Sequence, residues 1–336
     1  MPNPVAQLAS RWRYSNPRLP YFAHHLAQLV VPRTVHRRRA ESLLAGMGDR
    51  EREIVEGRAA YYNRLRVPFS VGDDVVPLRL WHAHDLHNYY LDLLEVLRHF
   101  PGHLRARYRF GDDSSEPPVP TLVKARPIAG DHANAVVLML DRVRHFRFIR
   151  DRRGFRDKRG LMVWRGHAAA PHRARFLEQF HSHPLCDVGE VGPREASLRW
   201  RKPFLSIDEH LGFKFILSIE GHDVATNLKW ILSSNSLCVM TRPKIESWFM
   251  EGTLVPGEHY VEVAADYSDL GDKIRFYLEN PAAAERILDR AHAFVRQFQD
   301  PRRELLVSLL VVRRYFELSG QLSAAHASGA GNARMA

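Results

Sequence analysis

Residues 213–240 constrain the fold more than any other stretch of this 336-residue chain. The apolar run FKFILSI is followed by a turn at Gly221, then by VATNLKWILSS at helical spacing, then by a second apolar run, SLCVM. This pattern predicts a buried strand, a helix over 224–234 and a second buried strand. Buried strands joined by a helix are typical of a parallel sheet with crossover helices.

The same alternation of strands and helices continues along the chain. Further strands are predicted at 161–164 and 259–263, and helices at 246–250, 267–278, 281–298 and 302–318. In the first half we predict strands at 77–82 and 104–110, a helix over 85–100 and a polar loop over 111–120. The sequence therefore predicts an α/β protein, and such sheets bind ligands beyond the carboxyl ends of their strands.

The chain is strongly basic, with 49 Lys and Arg against 38 Asp and Glu, a net charge of +11. The excess is concentrated in residues 1–50, with eight arginines and two acids, and in residues 141–175, with twelve basic residues and three acids. A basic surface attracts nucleic acid, anionic lipid or phosphorylated glycan, or is simply a solvated face. Because no helix-turn-helix, zinc-finger or RNA-recognition signature occurs, we expect lipid or glycan and no nucleic acid.

Two features bear on the cellular compartment. Cys186 and Cys238 lie in predicted strands, so we expect two buried, reduced thiols and no disulfide. Residues 1–13 lack the apolar core of a secretion signal, and no apolar run approaches the roughly 20 residues of a membrane span. We therefore expect a cytoplasmic protein that is soluble or peripheral to a membrane.

The turn at Gly221 offers a way to bind an anion. It places the amides of residues 224–226 at the carboxyl edge of the sheet, where free helix N-terminal amides attract negative charge. The Thr226 hydroxyl can add a donor, and Lys229 lies about one turn further on. Asp223 leaves another interpretation open, because an N-cap aspartate satisfies the same amides itself.

A second basic motif follows the strand predicted at 161–164. Arg165 comes directly after the strand, Gly166 permits a close backbone approach, and Arg173 falls in the first turn of the next helix. Two arginines at the carboxyl edge of a parallel sheet suit a diphosphate, which a guanidinium binds through paired hydrogen bonds. Surface arginines of a basic segment are the alternative.

Residues 214–270 resemble the signature region of glycosyltransferase family 90. Shorter runs resemble it too: PTLVKARPI at 120–128, VWRG at 163–166 and HPLCDVGEV at 183–191. The resemblance covers residues 61–320 and is strongest to the bacterial lipopolysaccharide core glycosyltransferases. The family also includes fungal capsule-associated proteins and eukaryotic O-glucosyltransferases and O-xylosyltransferases.

The resemblance implies a GT-B architecture, in which two Rossmann-like domains face each other across a cleft and a C-terminal helix crosses back. On that basis we assign 1–155 to an N-terminal acceptor-side domain, 156–300 to a C-terminal donor-binding domain, 301–320 to the returning helix and 321–336 to a flexible tail. It also implies a UDP-sugar donor, inversion at the anomeric carbon, and neither a catalytic metal nor another cofactor.

The resemblance further assigns donor-binding roles to the residues of the two motifs. These residues are Arg165, Gly166, Arg173, Gly221, Val224, Ala225, Thr226, Asn227 and Lys229. The sequence HAA at 167–169 replaces a Ser-Arg-Thr run of the eukaryotic members, and Asn227 replaces an arginine, so we expect the diphosphate to be held differently in detail. Glu246 or Glu251 is a candidate for the donor ribose, since a carboxylate accepts from both ribose hydroxyls; a solvated helix acid is the alternative.

An inverting transferase needs a base that takes the proton of the acceptor hydroxyl. Asp112 and Asp113 follow the strand predicted at 104–110, at its carboxyl end, and eukaryotic relatives carry an aspartate at a similar strand end. We therefore predict Asp112 as the base. The alternatives are Asp113, then His84 or Asp85, or a polar loop in which acids are simply plentiful.

Together these features predict an inverting glycosyltransferase that moves a hexose from a UDP-sugar to the inner core of lipopolysaccharide. We expect it to be peripheral on the cytoplasmic side of the inner membrane, where its basic segments meet anionic inner-leaflet lipid. Transfer to a capsule glycan or a protein hydroxyl is the alternative within this enzyme class. A non-catalytic basic binding protein is the third possibility, and a salt-sensitive gel shift with DNA, without sugar-nucleotide hydrolysis, would favour it.

Overall fold

The computed structural model describes residues 18–81, 87–192 and 198–323. Four helices lead the described chain: α1 (Arg18–Leu29), α2 (Arg33–Ala45), α3 (Asp49–Tyr62) and α4 (Asn88–Leu97). Helix α4 begins where the His87 side chain accepts a hydrogen bond from the Tyr90 amide, and it buries Leu91 and Leu94. It confirms the helix predicted at 85–100, although residues 85 and 86 lie outside the described residues.

Short strands follow in the N-terminal half. Strands β1 (Thr121–Val123) and β3 (Ala135–Val137) pair in parallel, while β2 (Ala125–Pro127) pairs antiparallel with β8 (Ile245–Ser247). The segment predicted as a strand at 104–110 is bonded to β1 only locally, through Leu122, which donates to the Arg107 carbonyl and accepts from the Arg109 amide. Three extended segments therefore run parallel here, and the short helix α5 (Arg142–His145) follows them.

The centre of the fold is a five-stranded parallel sheet, which confirms the predicted α/β class. Its strands are β4 (Arg159–Gly166), β5 (Cys186–Glu190), β6 (Phe213–Leu217), β7 (Leu237–Met240) and β9 (Val261–Glu262), in the order β5-β4-β6-β7-β9. The connecting helices are α6 (Pro171–Phe180), α7 (Ile207–His210), α8 (Leu228–Leu232), α9 (Leu270–Glu279) and α10 (Pro281–Arg296). Cys186 and Cys238 are buried free thiols in β5 and β7, as predicted.

Side chains alternate between two apolar cores on the faces of this sheet. Val163 and Ile216 face a core that the N-terminal helices share with α11 (Pro301–Leu318). Met162 and Phe215 face a second core formed with α6, α9 and α10. Helix α11 packs against α2, α3 and α4, so the end of the described chain returns to the N-terminal half.

Three predicted elements were wrong or misplaced. Leu78–Leu80 form a 3-10 turn rather than the strand predicted at 77–82, whose last residue lies outside the described residues. The helix predicted at 246–250 is wrong, because Glu246 and Ser247 belong to strand β8, which pairs antiparallel with β2, and the chain turns directly after it. Helix α8 begins at Leu228, four residues later than predicted, because side-chain hydrogen bonds hold the preceding residues in a loop.

The two-domain GT-B arrangement and the domain boundaries stay predictions. In the described N-terminal residues, each strand has only three residues and belongs to a two-stranded pair rather than to a second large sheet. Residues 111–120 form neither helix nor strand, as predicted. None of the described helices is long and apolar enough to cross a membrane.

Candidate active site

The strand order creates a crevice at the carboxyl edge of the sheet. The chain passes from β4 to β5 on one side, then returns to β6 on the other side of β4. Loops that leave neighbouring strands in opposite directions open a space between them, and parallel sheets bind ligands there. The loops after β4 (167–170) and after β6 (218–227) border this switch-point crevice.

Arg173, in the first turn of α6, spans the switch-point crevice. Its guanidinium donates to the carbonyls of Ile219 (2.8 Å), Glu220 (3.0 Å) and His167 (3.3 Å). Burial lowers the pKa of Arg173 from its ordinary value, yet an arginine stays charged. Among the described residues, no carboxylate lies within ion-pair distance of it. The crevice therefore contains a positive charge that is hydrogen-bonded to carbonyls, with Glu190 close enough to act on its pKa but outside ion-pair distance.

The two predicted glycines lie in close contact with neighbouring side chains. A Cβ on Gly221 would lie 3.1 Å from Nη2 of Arg173, and a Cβ on Gly166 would lie 2.3 Å from the ring of Trp164. At such distances either the added Cβ or the neighbouring side chain would have to move. Gly166 therefore accommodates a neighbouring indole, and Gly221 allows Arg173 to reach the end of β6.

Side-chain hydrogen bonds hold the loop 218–227 in a defined conformation. The side-chain amide of Asn227 donates through Nδ2 to the Leu217 carbonyl (3.0 Å), and its Oδ1 accepts from the Ser218 hydroxyl (3.1 Å). Asp223 accepts from the Val224 amide and thus does not cap α8. The backbone amides of residues 225–227 donate to no acceptor in the described part of the chain. The free donors therefore belong to the loop rather than to a helix N-terminus.

Two of the predicted cations are already paired within the protein. Arg165 is 5 % exposed at its side chain and donates to the Asp187 carboxylate (2.8 Å) and to three backbone carbonyls. Lys229 is fully buried, with Nζ 2.5 Å from Oε1 of Glu251. In this arrangement neither side chain offers a free charge to a diphosphate.

The two candidate ribose acids are buried, so the alternative of a solvated helix acid is wrong for both. Oε1 of Glu246 accepts from Arg126 (2.8 Å) and Arg64 (2.9 Å), and its other oxygen accepts from Tyr61. Glu251 accepts from Lys229 and from the Ser247 amide (2.6 Å). Glu246 thereby ties β8 to the N-terminal half, and a ribose role for either acid stays a prediction.

A cleft of about 590 Å³ continues from the switch-point crevice past the carboxyl ends of β6, β7 and β9. This sheet-edge cleft is lined by residues that include His172, Glu220, Thr241, Lys244, Glu262 and Tyr267. Burial raises the pKa of Glu220, which accepts from the amides of Lys244 (3.0 Å) and Ile245 (3.1 Å). Tyr267 adopts a left-handed conformation (φ 61°), and such strained residues are concentrated at functional sites.

Asp112 lies opposite, at the end of the extended segment bonded to β1. It accepts from Tyr89 (2.9 Å), Arg144 (2.5 Å) and Lys124. Partial burial alone would raise the pKa of Asp112, but hydrogen bonds from Arg144 and Lys124 hold this pKa well below its ordinary value. Asp113 points elsewhere, because it accepts from the amide and the hydroxyl of Ser115.

Lys124 connects the two sides of the site. It is 3 % exposed at its side chain, follows β1 directly, and forms ion pairs with both Asp112 and Asp223. Asp112 therefore lies beside the loop 218–227, as its predicted position at a strand end requires. Sequence reasoning missed Lys124 as a site residue, although it also follows the carboxyl end of a parallel strand.

Asp141 is a second missed residue, and it also follows one of these strands. It is buried, adopts a left-handed conformation (φ 57°) and accepts from Asn88 (3.1 Å) and Arg144 (2.6 Å). This strained aspartate positions the guanidinium that contacts Asp112. His84 and Asp85, the remaining alternatives for the base, lie outside the described residues.

One group among the described residues has the spacing of a metal site. The ligand atoms of His25, Asp92 and Glu95 lie within 4.8 Å of one another. Arg142 donates to both carboxylates, with Nε 3.0 Å from Asp92. Because this guanidinium already supplies the positive charge that the carboxylates require, the group is a buried ion-pair cluster.

Comparisons with known proteins agree with the sequence resemblance. The profile of Glycosyl transferase family 90 matches residues 141–301. The chain is 45% identical over 267 residues to O-glucosyltransferase LpsA of Dichelobacter nodosus, covering 80% of this chain and 84% of that protein. It is also 24% identical over 168 residues to Protein O-glucosyltransferase 3 of Homo sapiens, covering 48% of this chain and 32% of the human protein.

Proposed function

The chain belongs to glycosyltransferase family 90, and from this premise we propose that it transfers a hexose, with inversion, from a UDP-sugar to the core of lipopolysaccharide. Glycosyltransferase activity follows from the family. Glucose is the sugar we propose, because the name of the bacterial relative describes an O-glucosyltransferase. The lipopolysaccharide acceptor is proposed from the resemblance to the bacterial branch of the family.

The observation that carries this proposal is the position of Lys124 between Asp112 and Asp223. It links a carboxylate of the N-terminal half to the loop 218–227, whose amides at 225–227 have no acceptor among the described residues. Such a juxtaposition is what an inverting transferase needs, with a base on one side and an anion site on the other. It also supports a GT-B type of arrangement, with the acceptor on the side of Asp112.

We place the diphosphate of the donor at Arg173 and the amides of residues 225–227. Guanidinium and backbone donors can stabilise the negative charge that develops on the leaving UDP, so this arrangement needs no metal ion. The sheet-edge cleft then takes the nucleoside, with the Tyr267 ring and the carboxylates of Glu220 and Glu262 as its available contacts.

In the proposed reaction, the acceptor oxygen bonds to the anomeric carbon as the bond from that carbon to the diphosphate breaks on the opposite face. Asp112 takes the hydroxyl proton. Its low pKa makes it a weak base that is ionised at every physiological pH. Proton transfer can therefore come late, once the acceptor oxygen has become acidic on bonding to the sugar.

The proposal is tested by incubating the full chain with UDP-glucose and deacylated lipopolysaccharide core. We expect core-dependent release of UDP and a glycan heavier by one hexose. If UDP is released at the same rate without the core glycan, the acceptor assignment is wrong. If UDP-galactose alone supports transfer, the sugar is wrong.

Replacing Arg173 by Ala should weaken the binding of UDP much more than that of uridine. A charge-assisted hydrogen bond contributes about 1.5–3 kcal/mol, which corresponds to about a tenfold to hundredfold loss of UDP affinity. Isothermal titration with both ligands, repeated with EDTA, measures this. Equal losses for UDP and uridine would show that Arg173 does not contact the diphosphate, and a dependence on metal would contradict the metal-free site.

The N-terminal helices support a peripheral position on anionic membrane. Leu19 (86 % exposed), Leu26 (46 %) and Val30 (83 %) lie at helical spacing along and just after α1 and form an exposed apolar stripe. Exposed arginines at 37–39 on α2 follow closely in the chain. Exposed apolar side chains next to basic ones bind the interface of anionic bilayers.

Replacing Leu19 and Leu26 together by Ser should therefore reduce co-sedimentation with vesicles that contain anionic phospholipid. Each exposed leucine contributes roughly 1.5–3 kcal/mol when it is buried, so the pair should lower binding by at least about a hundredfold. Val67→Ser, at a residue that is 71 % exposed elsewhere, is the matched control. Undiminished binding of the double variant, or binding that high salt does not weaken, would rule out this surface.

A further inference from the structure

A cavity of about 810 Å³ lies between α1, α2, α4 and the start of α11. Arg142, the first residue of α5, and Phe146, just after its end, contribute to its wall, whereas Arg144 of the same helix contacts Asp112. The cavity is therefore adjacent to the candidate active site but separated from it by α5. We call it the helical cavity. Its apolar lining includes Phe146, Phe148 and Phe298.

Most charges that line the helical cavity are neutralised within the protein. Asp92 and Glu95 are paired with Arg142, Glu304 with Arg58, and Arg302 with Glu51. Arg98 is one exception. It is 4 % exposed, and among the described residues its one hydrogen-bond acceptor is the Leu94 carbonyl (3.2 Å), while Nη1 has no partner.

Arg39 adds a second positive charge at the exposed rim, and no carboxylate of the described chain lies within ion-pair distance of it. Burial lowers the pKa of Arg98, and Glu95, which is already paired with Arg142, offsets this electrostatic cost only in part. An anionic ligand would remove that cost.

Two histidines on the same wall also have unpartnered atoms. His36 and His99 are 3 % and 7 % exposed, and their ring centroids lie 5.1 Å apart. Nε2 of each has no partner among the described residues. Because Nδ1 of His99 lies 3.2 Å from the Val96 carbonyl, the ring proton resides there, and Nε2 is left as an acceptor.

We infer that the helical cavity binds an anionic saccharide unit, with its charged group at Arg98 and Arg39 and its hydroxyls at His36 and His99. A ligand that carries both hydroxyl donors and an anionic group matches these unpartnered acceptors and donors. Aromatic walls suit the apolar face of a sugar ring. If the proposed function holds, the unit bound here is a charged residue of the acceptor glycan, next to the one that is modified.

Isothermal titration of the full chain with glucose 6-phosphate, glucuronate and glucose tests this inference. We expect saturable binding of at least one anionic sugar with a Kd of about 1 mM or tighter, and glucose to bind at least about tenfold more weakly. The two anionic sugars distinguish a phosphoryl from a carboxyl group. Arg98→Gln and Arg39→Gln should each weaken binding about tenfold or more.

Arg38→Gln is the matched control, because it removes the same charge from an exposed neighbour that does not line the cavity, and its binding should be unchanged. Arg39 is exposed, so its variant keeps the test decisive even if Arg98→Gln does not fold. Absence of binding by both anionic sugars, competition with UDP, or equal losses in the Arg38 and Arg39 variants would overturn the inference. Anionic-sugar binding without UDP binding would refute the proposed function instead and leave this site standing.

Discussion

Replacing Asp112 by Asn is expected to lower the turnover of sugar transfer by about 10²–10⁴-fold, the usual contribution of a general base. The substitution keeps the size and the hydrogen-bonding oxygen of the side chain but removes the charge that accepts the proton. UDP affinity should hardly change, because Asp112 belongs to the N-terminal half and, among the described residues, is linked to the loop 218–227 through Lys124. Steady-state turnover and UDP titration on the same preparation measure both effects.

Two variants separate a base from a residue that merely positions Lys124. Asp113→Asn should be mild, because Asp113 is bonded to Ser115 and is half exposed. Asp223→Asn removes the other carboxylate that pairs with Lys124. If the Asp223 and Asp112 variants lost turnover equally, Lys124 would be the group that matters. If Asp113→Asn alone abolished turnover, the base would be Asp113.

The pH profile gives an independent check on Asp112. Its pKa is held well below the ordinary value by Arg144 and Lys124, so the carboxylate stays ionised from alkaline to mildly acidic pH. Protonation of Asp112 should therefore cause no loss of turnover between pH 8 and about pH 5, a window that lies above the ordinary aspartate pKa. A fall in that window that disappears in the Asp112 variant would contradict the observed environment.

The strands that position the site could be predicted from the sequence, because each strand is indicated by a short run of neighbouring residues. Apolar runs such as those at 161–164 and 236–240 predict buried strands, and parallel strands bring their carboxyl ends to one edge. That reasoning placed Asp112 at a strand end and Arg173 in the first turn of the next helix, and the structure has both beside the loops that form the site.

Which charges are free could not be predicted, because pairing depends on residues far apart in the chain. Arg126 and Glu246 are 120 positions apart, yet they form one buried ion pair. Arg165 and Lys229 are residues of the type and spacing that bind phosphate. In the fold, however, Asp187 pairs with Arg165 and Glu251 pairs with Lys229. The spacing of residues 246–250 suits a helix equally well, and only the partner strand β2 decides the structure.

Glu246 is either a structural partner of Arg126 or a contact of the donor ribose. We expect the structural role, so Glu246→Ala should destabilise the fold rather than weaken donor binding. Arg126 is fully buried, with Nε 2.8 Å from the Glu246 carboxylate. Removing one partner of a buried pair leaves an uncompensated charge and costs about 3–5 kcal/mol. Urea denaturation followed by circular dichroism measures this loss in the free energy of unfolding.

Glu258→Ala is the matched control for Glu246→Ala, because Glu258 pairs with Arg290 at side chains that are 48 % and 58 % exposed. Exposed pairs contribute about 0–1 kcal/mol, so the control should be close to neutral. The double replacement Glu246→Leu with Arg126→Met removes both charges and should recover much of the loss, since apolar side chains of similar volume replace buried pairs well. A Glu246→Ala protein of unchanged stability whose UDP affinity falls tenfold would instead establish this acid as a contact of the donor ribose, and the ion pair with Arg126 would then contribute little to the fold.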